Sequence, residues 1–255
     1  MDAEQRVVGT GLFCLGVSAL VTQVLVLREF LNLFAGNELV LGLILGNWLL
    51  LTGLGALIGR WGRHLQNPRA WLILLQGLLG LLPVALIVLI RLSKTIFLAG
   101  VAPGLGAVFC VSLVLLLPYC LLAGFALVLC ARLLGDGSAA IGRAYVLDTL
   151  GGIVGGLLFS LLLVFLATPV QTAILLLILN WTAALLLAWN GQRRRLAGIG
   201  CGALATILCG LQLVDLEEAT TRVLFPDMEL IRQESTPYGH LALVRRGEQL
   251  TAYGS

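Results

Sequence analysis

The sequence predicts an all-α polytopic membrane bundle of about seven transmembrane helices, followed by the start of a β-rich soluble domain. The first observation is composition: 59% of the 255 residues are hydrophobic and 11% are charged, whereas a soluble domain carries about 25% charged residues. The second is a mean hydropathy of +1.02, with apolar runs long enough to cross a bilayer. The third is an abrupt change at Asp215, where short alternating segments replace the apolar runs.

Seven apolar runs approach the length of about 20 residues that a spanning helix needs. They are Val7–Leu27, Leu39–Ile58, Ala70–Ile90, Leu105–Ala131, Ala144–Leu166, Val170–Trp189 and Leu196–Val214. The fourth run contains Pro118, which a membrane helix tolerates as a tilt or kink. Dividing residues 95–134 into two short spans would leave too little chain for two crossings and a turn. We therefore predict one long fourth span.

Basic residues are distributed unequally between the predicted loops. The side that holds the N-terminus has nine, Arg6, Arg60, Arg63, Arg69, Arg132, Arg143, Arg193, Arg194 and Arg195; the opposite side has three, Arg28, Arg91 and Lys94. Because cytoplasmic loops are rich in Lys and Arg, we expect a cytoplasmic N-terminus in a bacterial-type inner membrane. Seven spans then place the tail after Val214 outside. An eight-span alternative would move the run of arginines at 193–195 outward, against the same rule.

The chain divides into a helical membrane domain, residues 1–214, and a tail, residues 215–255. The tail opens on DLEEATTRVLF, a pattern that predicts a short amphipathic helix ending at Pro226. MELIRQE, YGHLALVRR and QLTAY follow, and their β-forming residues predict a strand and a hairpin. Three such strands do not make a stable domain alone, so we expect this domain to be incomplete in the sequence.

Asp148 is the first candidate for a functional residue inside the membrane, because ionisable groups there are costly. It lies four residues into the fifth predicted span and is expected just below the interface. One interpretation is contact with an ion, a proton or a polar substrate. The other is a structural role, as the partner of an arginine or as a hydrogen-bond acceptor at a helix end.

Other polar residues in or beside the spans are candidates of the same kind. Arg28 and Glu29 follow the first span and Glu38 opens the second, which predicts an interfacial elbow in which Glu29 or Glu38 could pair with Arg91. Inside the spans, Gln23, Asn47 and Asn180 could line a polar cavity or join neighbouring helices by hydrogen bonds, together with Gln76 and Gln171.

Glycines repeat at the spacing that allows membrane helices to approach closely. The clearest set is Gly151, Gly152, Gly155 and Gly156 in the fifth span, and Gly42 with Gly46 and Gly55 with Gly59 repeat it in the second. These glycines predict helix packing. A nucleotide-binding loop is rejected, because no soluble strand precedes GGIVGG.

No cofactor or metal site is predicted. The six cysteines lie inside apolar runs without a CxxC pair, and neither His64 nor His240 has a companion at ligand spacing. No nucleophile–base pair stands out either.

Four segments carry a resemblance to membrane-bound spermidine synthase-like proteins. GVSALVTQVLVLREFLNLFAGNELVLGLILGNWLLLTGLGALIGR resembles their opening spans, and LLPYCLLAGFALVLCARLL and GRAYVLDTLGGIVGG resemble two later signatures, in the same order. The tail, ESTPYGHLALVRRGEQLTAYGS, resembles the leading strands of the synthase itself.

The resemblance implies an aminopropyltransferase that acts on decarboxylated S-adenosylmethionine and putrescine. It also implies a glycine-rich motif and catalytic aspartates beyond the hairpin, and this sequence contains neither, so we expect the chain alone to be inactive. Soluble synthases usually have Gln after the hairpin tyrosine, whereas Gly239 follows Tyr238 here. The expected partners are the lipid bilayer and a second copy or other membrane subunits, with polyamine or nucleoside only if the missing domain is present. The alternatives are a transporter-like or polyamine-sensing module and a structural membrane subunit.

Overall fold

The computed structural model describes residues 3–34, 38–93, 97, 103–135, 137–190, 200–201, 203–205, 207, 229–236, 239–246 and 249–254, the last three segments by backbone alone. Within these residues six helices are long and apolar enough to cross a membrane. They are α1 (Ala3–Phe34), α2 (Glu38–Gly59), α3 (Pro68–Ser93), α4 (Leu105–Leu133), α5 (Ser138–Leu158) and α6 (Pro169–Asn190). The prediction of a polytopic helical membrane bundle is confirmed.

Two helices are extended by tighter or wider turns. A 3-10 turn, Arg60–His64, continues α2, and a π turn, Phe159–Leu163, continues α5 to a last helical turn at Val164–Leu166. The long α4 passes through Pro118 as one helix, as predicted. The missing amide hydrogen of this proline is tolerated inside a membrane helix because neighbouring groups re-satisfy the freed carbonyl.

Two predicted boundaries were wrong. The first helix does not end before Arg28 but continues to Phe34, so Arg28 and Glu29 belong to α1 rather than to an interfacial elbow. The fifth helix begins at Ser138, so Asp148 follows ten residues later, about 15 Å along the helix axis and not in its first turn. Small and apolar residues before the predicted start allow the helix to begin earlier.

The seventh predicted span, residues 196–214, lies largely outside the described residues; those described there, 200–201, 203–205 and 207, are helical. The predicted amphipathic helix before Pro226 lies wholly outside them. The six helices described account for the first six predicted spans.

The helices pack in three close pairs. Residues facing each other show that α1 runs parallel to α5, that α2 runs parallel to α4 and that α3 runs antiparallel to α6. In their most apolar stretches 61% of α1 is buried but only 17% of α5, so α1 lies in the centre and α5 at the periphery. The exposed leucine, isoleucine and valine side chains of α5 are what a lipid-facing surface needs.

The backbone of the tail forms three strands, β1 (Glu229–Thr236), β2 (Gly239–Arg246) and β3 (Gln249–Gly254). They pair antiparallel in the order β1-β2-β3, with Thr236 opposite Gly239 and an irregularity between Leu230 and Arg232. The assignment of these strands to a separate water-soluble domain stays a prediction.

Candidate functional site

A chain of polar side chains crosses the centre of the bundle. The Asn180 amide of α6 donates to the Ser18 hydroxyl of α1 at 2.8 Å and accepts from the Gln76 amide of α3 at 3.2 Å. Gln76 also donates to the Gly11 carbonyl at 3.2 Å. On the other side of Ser18, its hydroxyl lies 3.5 Å from that of Tyr119 on α4. We call these five residues the central network; it joins four helices through groups that the apolar surroundings cannot solvate.

Two buried polar atoms in this region have no hydrogen-bond partner within the described part of the chain. They are Thr22 Oγ1 and Gln76 Oε1, and both residues are fully buried. An unsatisfied polar group costs free energy in an apolar interior. Thr22 lies close to the Tyr119 hydroxyl, so Gln76 Oε1 is the clearer unsatisfied group of the two.

Sequence reasoning named Asn180 and Gln76 but missed Ser18, Thr22 and Tyr119. A signal for the α1 residues is present, because Gly11, Ser18 and Thr22 recur at spacings of seven and four residues, which places them on one helix face. Tyr119 gave no such signal, since it lies beside Pro118 in a long apolar run.

A buried ion pair ties α1 to α3. The guanidinium of Arg91 donates to both carboxylate oxygens of Glu29, from Nε at 3.0 Å and from Nη2 at 3.1 Å. The two side chains are 5% and 4% exposed. Glu29 is thus the carboxylate that pairs with Arg91, whereas Glu38 is exposed at the start of α2. Fork-to-fork geometry of this kind fixes both the position and the orientation of the two helices.

The neighbouring Arg28 points elsewhere on α1. Its guanidinium carbon lies 5.9 Å from the centre of the ring of Phe159, which belongs to the π turn that continues α5. This is a cation–π distance. Arg28 and Arg91 therefore bind at the same end of the bundle, each against a different helix. Neither is an isolated intramembrane charge.

A second hydrogen-bond cluster joins α2 to α4. The buried Asn47 amide donates to the Ser112 hydroxyl at 2.8 Å and to the Phe109 carbonyl at 3.0 Å. Ser112 in turn donates to the Val108 carbonyl one turn back. These bonds satisfy the polar groups of the cluster, which agrees with the interpretation of Asn47 as a residue that joins neighbouring helices.

Asp148 and Gln23 are only partly buried and belong to neither cluster. Within the described residues the Asp148 carboxylate makes no hydrogen bond or ion pair, although its backbone is packed tightly against α1. The structure thus brings Asn180 into the central network and Asn47 into the α2–α4 cluster, and it leaves Asp148 apart from both.

Glycines make the closest helix contacts. A β-carbon at Gly151 or Gly155 would overlap the α1 backbone at Phe13 or Val17, and one at Gly156 would meet the Leu20 side chain. Gly152 lies further away, with a β-carbon position 4.0 Å from the Gly16 carbonyl oxygen. Since α1 of the same chain covers this glycine face, an interface between copies would have to use another surface.

The described residues contain no group of three or more His, Cys, Asp or Glu side chains that could hold a metal ion. The hairpin residue Tyr238 lies outside them, and Gly239 is known only as the first residue of β2. In the described part of the chain the arrangement offers hydrogen bonding, the buried Glu29–Arg91 ion pair and the Asp148 carboxylate. Comparison with protein-family models, curated proteins and solved structures finds no match for this chain.

Proposed function

We propose that this chain is the membrane-anchoring part of a spermidine synthase-like protein. The observation that carries the proposal is the order of elements: a six-helix bundle comes first, and an antiparallel β1-β2-β3 meander follows in the segment that resembles the leading strands of a synthase. The bundle would hold this meander, and the domain it begins, at the membrane surface.

The interior of the bundle supports an anchoring role. The buried polar groups of Asn47 and Asn180 bond to neighbouring helices, and Glu29 bonds to Arg91. Contacts of this kind use polar groups as links between helices rather than as ligands for a substrate. Aminopropyl transfer requires a carboxylate that deprotonates the amine and an acidic pocket that holds it, and the family's aspartates for these tasks have no counterpart in this sequence.

The orientation that we propose follows from the basic residues. A cytoplasmic N-terminus and six spans return the chain to the cytoplasm after Asn190, where residues 193–195 are all arginine. A seventh span over residues 196–214 then places β1, β2 and β3 outside. A synthase domain on that side would meet substrates other than the cytoplasmic ones of its relatives.

Two reporter fusions test this arrangement. Each junction is fused in turn to a reporter that is active only in the cytoplasm and to one that is active only in the periplasm. We expect the cytoplasmic reporter to be active after Asn190 and the periplasmic reporter to be active after Ser255, so that each junction is a control for the other. Finding both junctions on the cytoplasmic side would remove the seventh span and favour an enzyme that uses cytosolic metabolites.

A transporter-like or polyamine-sensing module is the second candidate, and the central network favours it. The Oε1 atom of Gln76, a member of this network, has no hydrogen-bond partner within the described residues, and transporters place substrate sites near helix junctions of this kind in the bilayer midplane. We expect labelled putrescine to enter proteoliposomes that hold the protein, and Gln76→Leu, which removes the unsatisfied oxygen, to abolish the uptake. Uptake that survives this substitution, or its absence from the unmodified protein, would count against a carrier.

A further inference from the structure

The contact between α2 and α4 is reciprocal. A β-carbon added at Gly55 of α2 would overlap the backbone carbonyl of Leu121 on α4. One added at Gly124 of α4 would overlap the carbonyl of Thr52 on α2. Each helix therefore presents a glycine to the backbone of the other, and the two run parallel at van der Waals distance.

The contact between α1 and α5 has the same construction. A β-carbon at Gly151 of α5 would overlap the carbonyl of Phe13 on α1, and one at Gly16 of α1 would overlap the carbonyl of Asp148 on α5. Again a glycine of each helix faces a carbonyl of the other. The two helices also run parallel.

The correspondence between the two contacts keeps its register. Thr52 and Gly55 of α2 match Asp148 and Gly151 of α5, and Leu121 and Gly124 of α4 match Phe13 and Gly16 of α1, with identical spacing in each set. One turn further on the contacts differ, because Gly59 meets the Val128 side chain whereas Gly155 meets the Val17 backbone. The sequences agree as well, since LGALIG at 54–59 matches LGGIVG at 150–155. Gly46 and Gly142 are equivalent positions closer to the start of the same two helices. A β-carbon at either would have no other atom within 4 Å.

In this correspondence α4 is the counterpart of α1, and α5 is the counterpart of α2. The third counterparts are then α3 and α6, which pack against each other. Both of these helices begin at a proline, Pro68 and Pro169. A unit of three spans crosses the membrane an odd number of times, so a second copy that follows it enters from the opposite side. Inverted repeats of this kind are related by a pseudo-two-fold axis in the membrane plane.

We infer that α1–α3 and α4–α6 are two inverted copies of one three-helix unit, and that Asp148, which occupies the place of Thr52, is a proton-binding carboxylate added to this scaffold. The inference does not depend on the function of the tail. It concerns the side chain of residue 148, because the backbone of this residue already has a structural role in packing against Gly16.

The comparison with Thr52 shows that the scaffold needs no charge at this place. The Thr52 hydroxyl donates to the Trp48 carbonyl in its own helix at 2.7 Å and also interacts with the Cys120 thiol of α4, so neutral groups satisfy it. Asp148 has the same backbone contact but no bonded partner within the described residues. A carboxylate that neither packing nor pairing requires, inside a membrane helix, is a candidate for function.

Within the described residues no cation pairs with the Asp148 carboxylate, so binding a proton is the way in which this group can be neutralised. From α4, the Tyr119 hydroxyl and the Cys130 thiol lie within electrostatic range. The α1 residues that face Asp148 and the α5 glycines are Phe13, Gly16, Val17 and Leu20, of which none is titratable. The α1 cation Arg28 lies further along, over the Phe159 ring. On α5 itself, Arg143 is exposed and donates to the Ala139 carbonyl. A carboxylate without a paired cation changes its charge by exchanging a proton.

The decisive variant is Asp148→Thr, which gives the second copy the residue of the first. In detergent or nanodiscs we expect the full chain to keep its melting temperature and to lose a pH-dependent carboxyl band from its infrared difference spectrum. Asp148→Asn, closer in shape, is measured beside it. If both variants lower the melting temperature as far as Gly151→Leu does, the side chain is structural and the inference fails. If the band persists in both, the proton is bound elsewhere and the inference also fails.

The repeat itself is tested by equivalent substitutions. Gly55→Leu and Gly151→Leu are expected to lower the melting temperature by similar amounts, while Gly46→Leu and Gly142→Leu, which meet open space, leave it nearly unchanged. Unequal effects within either pair would show that the two contacts are not equivalent, and would overturn the repeat.

Discussion

Replacing Gly124 by alanine is expected to destabilise the bundle by about 1–3 kcal/mol, the range for adding a methyl group to a packed core. The added carbon would overlap the Thr52 carbonyl oxygen and crowd the backbone nitrogen of Ala56. Both are backbone atoms, so no rotamer change can relieve the overlap, and α2 must move away from α4. Thermal unfolding in detergent, followed by circular dichroism, measures the loss.

Gly106→Ala is the matched control because it lies in the same helix. A β-carbon there meets nothing within 4 Å, so the only expected effect is a small gain, since alanine is the better helix former. Equal destabilisation by the two substitutions would mean that α4 tolerates no side chain at either glycine. The close approach at Gly124 would then not be the cause.

Membrane spans could be predicted from the sequence because the requirement is local: about 20 apolar residues satisfy their own backbone hydrogen bonds within one helix. The single helix α4 could be predicted despite Pro118 because residues 95–134 are too few for two crossings and a turn. What the local pattern does not contain is the partner of each helix. Gly55 and Gly46 look alike in sequence, yet only Gly55 faces another backbone.

The wrong end of α1 has a specific physical cause. Arg28 and Glu29 are charged neighbours, and charged pairs usually mark the end of a span. Here Arg91, which is 62 residues away from Glu29 in sequence, neutralises that carboxylate inside the bundle. Phe30 and Phe34 then stack at 5.8 Å, and the helix continues. A compensation between distant residues cannot be read from either segment alone.

The residues of the candidate site also fall into those that could be predicted from the sequence and those that could not. Asn47, Asn180 and Asp148 stood out because polar residues are rare in apolar helices, so composition was enough to find them. Tyr119 and Ser18 did not stand out, since tyrosine and serine are common in membrane helices; only the packing of α1 against α4 brings them together. Which polar residues bond to each other is therefore a property of the tertiary structure.

Removing one partner of the buried ion pair is the second substitution with a large expected effect. Arg91→Leu leaves the Glu29 carboxylate, 4% exposed, without its guanidinium, and breaking a buried pair in this way costs about 3–5 kcal/mol. The double variant Glu29→Gln with Arg91→Leu removes both charges and is expected to recover most of the loss. Unfolding of the single and double variants in detergent gives the coupling between the two residues.

The pair between Arg69 and Glu4 provides the contrast, because its carboxylate faces solvent. The Glu4 side chain is 63% exposed and the paired atoms are 2.6 Å apart, but a pair that water and salt screen contributes only about 0–1 kcal/mol. Arg69→Leu should therefore cost much less than Arg91→Leu, although the Arg69 pair is the shorter one. If the two losses were equal, burial would not decide the strength of these pairs, and the Arg91–Glu29 contact would not be what holds the long α1 against α3.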